Sequence, residues 1–233
     1  MKRCAVFSRW PEPGRVKSRL SPALPPALAC DLHRAMLADA LEAGRQSGAG
    51  ERMLYWSDAP ASAALDRGAD PGLELSGFEI RAQTGSDLGE RLARAFEDLA
   101  RASGDRALIL GADCPELDGG ALASAFEELA RHDVVLGPAR DGGYTLIGLS
   151  RPAPALFQGI PWGTNRVFEA TRERARAAGL LVLELETRDD LDTPADLARW
   201  IGARAAGEPT PARHTLAALA AMKLLPSGAQ PPP

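Results

Sequence analysis

Ala107-Leu108-Ile109-Leu110-Gly111-Ala112-Asp113-Cys114-Pro115 is the stretch whose reading decides the fold. An apolar run that ends in small residues, an acid and a proline reads as a buried strand leaving the core for an open crevice. Open α/β sheets bind their ligands at the carboxyl ends of the strands, which is where Asp113 falls. A carboxylate there can hold a hard cation such as Mg²⁺, act as a base, or cap the next helix. Capping is the weakest of these, because Asp118 is better placed before the next helical pattern.

Outward from this strand, helical and strand periods alternate. Lys2 to Phe7 is apolar and β-prone, and the prolines and glycine of Ser8 to Leu20 then make a rigid basic loop. Leu28, Leu32, Met36 and Ala40 mark a helix from about Pro25 to Gln46, and Met53 to Trp56 is a second strand. Asp58 to Gly77 has no clear period. Phe78 to Gln83 alternates as a strand, and Asp87-Leu88-Gly89-Glu90 fits a capping box for a helix through about Ala100. A helix over about Asp118 to Arg131 and a strand over Asp133 to Pro138 follow. Tyr144 to Leu149 is β-rich and too close to its predecessor for a helical crossover, so mixed pairing is expected there. A helix after Asn165, a strand over Leu180 to Leu185 and a helix from Thr193 to about Arg204 complete the pattern, the last opened by Thr193 as cap and Pro194 at its first position. The expectation is an α/β fold: a three-layer α/β/α sandwich with a mainly parallel, mixed sheet. One domain over 1–205 is expected, with 206–233 a Pro/Ala-rich extension carrying one possible helix at about Ala212 to Leu224 and a disordered end at Pro231 to Pro233.

The composition suits this: 233 residues, 45% hydrophobic and 25% charged. No apolar run is long enough to span a membrane, so a cytoplasmic protein without membrane attachment is expected. Cys4, Cys30 and Cys114 are odd in number and lack C-x-x-C spacing, which speaks against a disulfide framework or zinc site. A net charge of −4 lacks the basic footprint of nucleic-acid binding. Positive charge nevertheless gathers at Lys2, Arg3, Arg9, Arg15, Lys17 and Arg19, with Glu12 the single acid between them, which suits a small anion. Lysine occurs only at Lys2, Lys17 and Lys223 among 27 basic residues, so Lys17 stands out as a point-charge donor.

Three clusters thus fall at strand ends: the loop around Lys17 and Arg19, Asp113, and the acidic loop around Asp192. A divalent cation held by carboxylates, facing lysine or arginine, neutralises a diphosphate where charge builds as a phosphate ester breaks. The inferred ligand is a nucleotide. Walker A, G-x-G-x-x-G and G-x-S-x-G motifs are absent, and Cys114 has no partner base. His33, His132 and His214 lack metalloprotease spacing, and solvent exposure is expected of each. Asp141-Gly142-Gly143-Tyr144 is either a tight turn or, with Trp162, an acceptor-side wall of flat faces.

Phe7 to Leu20, Gln83 to Arg91, Gly111 to Pro115, Asp141 to Tyr144, Trp162-Gly163-Thr164-Asn165 and Asp189 to Asp196 together resemble the bacterial GT-A-fold nucleotide-diphospho-sugar transferases, including glycosyltransferases linked to arsenosugar biosynthesis. The resemblance spans roughly residues 1 to 202 and extends distantly to the nucleotidylyltransferases that make molybdopterin dinucleotides and activated phospholactate. It implies a Rossmann-like nucleotide-binding sandwich using Mg²⁺ or Mn²⁺. On this resemblance Lys17 and Asp113 would be the catalytic residues, and Asp113 with Asp192 would hold the metal. Ser8, Arg9, Gly14, Lys17, Arg19, Gln83 and Asp87 would bind nucleotide and phosphates. Asp141, Gly142, Gly143, Tyr144 and Trp162 would face the acceptor. Two departures stand out: Gly111 replaces the first acid of the Asp-x-Asp common in GT-A transferases, and Gly163 replaces the serine of a common Trp-Ser-Thr. The activity implied is sugar transfer from a nucleotide-diphosphate sugar to a small acceptor. The alternatives are nucleotidylyl transfer from a nucleoside triphosphate with release of pyrophosphate, and a non-catalytic nucleotide-binding module.

Overall fold

A computed structural model describes residues 1–21, 23–59, 72–100, 102 and 104–225. The unassigned stretch Asp58 to Gly77 and the expected disordered end therefore fall largely or wholly outside the described residues. The decisive strand is β4, Arg106–Gly111, which lies beside β1, Lys2–Arg9, in the middle of a seven-stranded sheet. On the β1 side, β2 (Glu51–Ser57) and β3 (Glu79–Ala82) continue in parallel. On the β4 side, β6 (Tyr144–Leu149) runs antiparallel to both β4 and β5 (Val134–Pro138), and β7 (Val182–Glu184) closes the edge parallel to β5. The expected mixed sandwich is thus the observed one, with its single reversal at the strand whose connection is too short for a crossover.

Side chains along β4 alternate between two apolar layers, which is why the run is unbroken rather than alternating with polar residues. Leu108 and Leu110 pack against α1 (Pro26–Gln46) and α3 (Gly119–Glu128), beside Leu37, Leu41 and Phe126. Ala107 and Ile109 face the opposite layer, where α2 (Leu88–Leu99) supplies Phe96 and Leu99, and α4 (Val167–Ala177) supplies Ala175. A short 3₁₀ turn at Pro154–Phe157 completes that layer, its Phe157 ring stacked on Phe96 at 5.8 Å.

Beyond these layers, α5 (Pro194–Ala205) and α6 (Arg213–Ala221) gather with α1 around a third apolar cluster that includes Leu32, Trp200 and Leu216. Thr193 and Asp196 form the reciprocal capping box at the start of α5, with Pro194 at the first position as expected. Among the described residues no helix is long and apolar enough to cross a membrane. All three cysteines are free and buried.

Candidate functional site at the carboxyl ends of β1 and β4

Phe7 of β1 pairs with Gly111, the last residue of β4, and β1 continues two residues further to Arg9, so the loops that follow the two strands leave the sheet at the same end. The loop after β1 turns at Gly14, φ +82°, where the left-handed backbone favours glycine. Val16 and Leu20 are buried anchors on either side of Lys17, which adopts φ 49°, a conformation few non-glycine residues accept. A 3₁₀ turn over Ser18–Leu20 follows, and Leu20 N–H donates to the Lys17 carbonyl at 2.9 Å. This strained backbone sends the Lys17 side chain inward, where it is 2% exposed.

The Lys17 ammonium lies 2.7 Å from Asp113 Oδ1, 3.6 Å from Asp192 Oδ1, and donates to the Leu191 carbonyl at 2.7 Å. Arg19 meets the other Asp192 oxygen at 2.6 Å. Leu191 N–H donates to the Asp113 carbonyl at 2.9 Å, so a single residue of the acidic loop ties both partners together. Three loops separated by up to 174 positions in the chain thus converge on one cation. Desolvation would raise the Asp113 carboxyl, but the Lys17 ammonium, with His33 and Arg9 behind it, outweighs this and holds it below the ordinary value. The site is charge-balanced, two carboxylates against two cations. The Asp113 side chain is still 55% exposed, open to the cleft beside its salt bridge. Two carboxylates converging from different loops offer oxygen donors of the kind a hard divalent cation takes, while among the described residues no group of three or more His, Cys, Asp or Glu side chains is placed to hold a metal ion.

Around this centre lies a cleft of about 540 Å³ lined by both loops, by Ser8 and Arg9 at the end of β1, and by Gln83 after β3. Gln83 donates its amide to the Tyr55 carbonyl at 3.1 Å and more weakly to that of Ser8 at 3.4 Å, bridging the ends of β1 and β2. Arg9, Arg15, Arg19 and Arg91 surround the opening, and Gly14 borders an adjoining recess shared with Arg9, Arg15 and Ser18. This is the electropositive rim that the clustering of basic residues anticipates.

His33 corrects an expectation. It is 4% exposed rather than solvated, it lines the cleft, and its Nε2 lies 3.2 Å from both Ser8 Oγ and the Arg9 carbonyl. Burial pushes its pKa down, against the pull of Asp113. The helical period that makes Met36 and Leu32 core residues carries His33 under the loop, and no spacing motif marks it. Ser57, Leu88 and Arg91 are further lining residues outside the predicted set. Arg91 closes the Gln83 to Arg91 stretch, and its Nε donates to the Gly85 carbonyl at 3.2 Å.

Other predicted positions stand apart from the cleft lining. Asp87 is the N-cap of α2, accepting the Glu90 N–H at 2.8 Å, while Glu90 reaches back to Ser86 N–H rather than to Asp87 itself. Asp141-Gly142-Gly143 forms a tight turn, with Asp141 Oδ1 accepting the Gly143 N–H at 2.8 Å and the Gly142 carbonyl accepting the Phe168 N–H. Tyr144 packs edge-on to Trp162, their centroids 6.4 Å apart, and the indole lies against Gly89 of α2, where a Cβ would meet it at 2.8 Å. Asp190, in the acidic loop, is half-buried. Its carboxyl is pushed up to about 6 by burial and then by Asp141, Asp196 and Asp192.

With this geometry in view, the relatives are informative. Residues 40–164, just over half of the chain, match the model of the family described as uncharacterized proteins conserved in bacteria, DUF2064. The chain belongs to this family. It is also 31% identical, over 82% of its length and 83% of the relative's, to 2-phospho-L-lactate guanylyltransferase of Methanothermobacter thermautotrophicus. A crystal structure from Desulfovibrio desulfuricans G20, assigned as a nucleotide-diphospho-sugar transferase, superposes with a TM-score of 0.80 at 28% identity, covering 97% of this chain and 99% of that one. The CMP:2-keto-3-deoxy-manno-octonic acid synthetase complexed with CTP shares the fold alone, with a TM-score of 0.52 at 12% identity over 88% of this chain and 99% of the synthetase. The relatives with named activities are transferases that handle nucleotides or nucleotide sugars.

Proposed function

We propose that the chain is a metal-dependent transferase that moves a sugar from a nucleotide-diphosphate sugar to a small acceptor. The observation that carries this reading is the convergence of Asp113 and Asp192 on Lys17 inside a cleft rimmed by Arg9, Arg15, Arg19 and Arg91. Asp113 and Asp192 would hold Mg²⁺ or Mn²⁺, which supplies positive charge where a diphosphate accumulates negative charge. The chain's own part is to orient and neutralise. Lys17 keeps the two carboxylates together, the arginines receive the outer phosphate oxygens, and Gly14 lets the backbone approach them. Ser8 and Gln83 line the nucleotide side, and Asp87 contributes by setting the start of α2. The acceptor approaches on the side of Asp141, Gly142, Gly143, Tyr144 and Trp162, where Asp190 is a carboxyl poised to ionise near neutral pH. Support for sugar transfer in particular comes from the end-to-end likeness to the Desulfovibrio protein.

Nucleotidylyl transfer is the second reading, favoured by the identity to the guanylyltransferase and by Gly111, which leaves β4 without a second acid. Incubation with sugar nucleotides, and separately with nucleoside triphosphates and phosphorylated acceptors, separates the two. Free nucleoside diphosphate supports sugar transfer, and pyrophosphate supports nucleotidylyl transfer. Full turnover by Asp113→Asn at saturating metal would overturn both. A nucleotide-binding module without catalysis would bind indifferently to metal and turn over no donor.

A further inference from the structure

The third apolar cluster joins parts of the chain that the two sheet-facing layers leave separate. Leu20, in the turn after Lys17, is fully buried in it, and so is Leu191, whose backbone bonds to both Lys17 and Asp113. Ala212, which precedes α6, and Leu216 and Leu219 of that helix close the cluster, all 3% exposed or less. A buried carboxylate fixes that helix in place: Asp39 of α1, 5% exposed, accepts the His214 N–H at 2.9 Å on one oxygen and the Thr215 N–H at 2.8 Å on the other. These are amides of the first turn of α6, which otherwise has no side-chain cap. Burying a carboxylate is costly unless it is fully hydrogen-bonded, so this arrangement selects one seating of the helix against α1.

We propose that α6 is a positioning element of the donor site, holding the Lys17 loop and the Asp192 loop in register through Leu20 and Leu191. The helix touches neither Lys17 nor Asp113 by any hydrogen bond or ion pair found among the described residues. Its effect passes through the buried Leu191 side chain, whose own N–H and C=O are the links between the two loops. Lys17 sits in a left-handed conformation that persists only while its surroundings hold it, so loosening the cluster releases the ammonium from between the carboxylates. Residues 207–225 are then part of the transfer unit rather than an appendage to it. The functional consequence rests on the reading of these loops as the donor site; the structural coupling does not.

Amide hydrogen exchange on the full-length protein tests the coupling without any substrate. The reporters are Leu191 N–H, bonded to the Asp113 carbonyl, and Leu20 N–H, bonded to the Lys17 carbonyl. Leu216→Ala is expected to speed exchange at both by on the order of tenfold, while Val6 in β1 and Ile109 in β4 change by less than about twofold. Leu216→Met, which refills the volume, should restore the slow exchange. Asp39→Asn is the milder second variant: its amide oxygen can accept from one α6 amide, while its NH₂ cannot accept from the other, so the same two reporters should accelerate to a smaller degree. In both variants the dissociation constant for UDP-glucose or GTP with Mg²⁺ should rise in step with exchange at Leu191. Unchanged exchange at Leu20 and Leu191 in a folded variant, or equal acceleration in β1 and β4, would overturn the proposal. Local acceleration in a protein that turns over no donor would instead leave the coupling standing and refute the proposed function.

Discussion

Replacing Lys17 by methionine keeps a long side chain at the buried position but removes its charge, leaving Asp113 and Asp192 to face each other and the Leu191 carbonyl without its donor. At 2.7 and 3.6 Å the two attractions amount to roughly 6 and 5 kcal/mol in an effective dielectric of about 20, before desolvation. Half-exposure of Asp113 and the cost of burying the ammonium reduce this, and we expect a net loss of about 2 kcal/mol at pH 7. Because the Asp113 pKa is lowered in the folded protein, its contribution is complete above the ordinary value of 3.8 and disappears as pH falls through the folded value. Urea unfolding of the wild type, Lys17→Met, Asp113→Asn and the double variant therefore gives a coupling of about 1 kcal/mol or more at pH 7, fading as the pH falls below 3.8. A divalent cation at the same carboxylates should also raise the melting temperature of Lys17→Met more than that of the wild type, since no ammonium then competes for them. A coupling below about 0.5 kcal/mol at pH 7, or one that does not change with pH, would refute the view that Lys17 holds the two loops together by charge.

Three further outcomes follow from the electrostatics and packing. Asp190 has a raised pKa, so the relative stability it confers is fully present below 3.8 and is lost as pH rises through about 6. Asp190→Asn should accordingly stabilise the protein by about 1 kcal/mol in urea melts at pH 7.5, a figure discounted for partial exposure, and give no gain at pH 3.5. Gly142 stands at φ +90°, and a Cβ there would lie 2.1 Å from the Asn165 carbonyl oxygen; Gly142→Ala should cost about 3 kcal/mol and detach the start of α4, seen as faster exchange at Phe168. Asp105 binds the N-terminal ammonium at 2.8 Å and Arg3 at 2.5 Å, which together hold its carboxyl well below the carboxylate range. Asp105→Asn should lower the melting temperature at pH 7, with the difference shrinking as pH drops below 3.8.

Much of the architecture is legible because single residues carry it. The run Ala107 to Leu110 has no polar face, which only a strand covered on both sides explains, and the short link before Tyr144 excludes a parallel return. Thr193, Pro194 and Asp196 announce a helix start by hydrogen-bonding rules that need no tertiary context. Lys17, Asp113 and Asp192 are identifiable for a related reason: each follows an apolar run or an abrupt composition change, and strand ends concentrate ligand chemistry. His33 is different. Its burial depends on where α1 crosses the loop after β1, a relation between distant segments that periodicity does not contain.

Leu191 shows why the remaining part is hidden. Its side chain reads as one apolar residue in an acidic loop, yet its amide, its carbonyl and its side chain each reach a different segment: Asp113, Lys17 and the cluster under α6. Backbone groups carry no residue-specific signal, so no motif could mark it. The Asp141 turn presents the converse. Its residues read in sequence as a tight turn or as a binding wall, and Gly142 is required where the Asn165 backbone approaches and Gly89 where Trp162 packs. Trp162-Gly163-Thr164-Asn165 and Asp141-Gly142-Gly143-Tyr144 are therefore bound together first by packing, and whichever of them meets an acceptor does so from a geometry that these two glycines impose. A motif match at such positions reports backbone proximity before it reports chemistry, whereas Asp113 and Asp192 meet their partners Lys17 and Arg19 through charge.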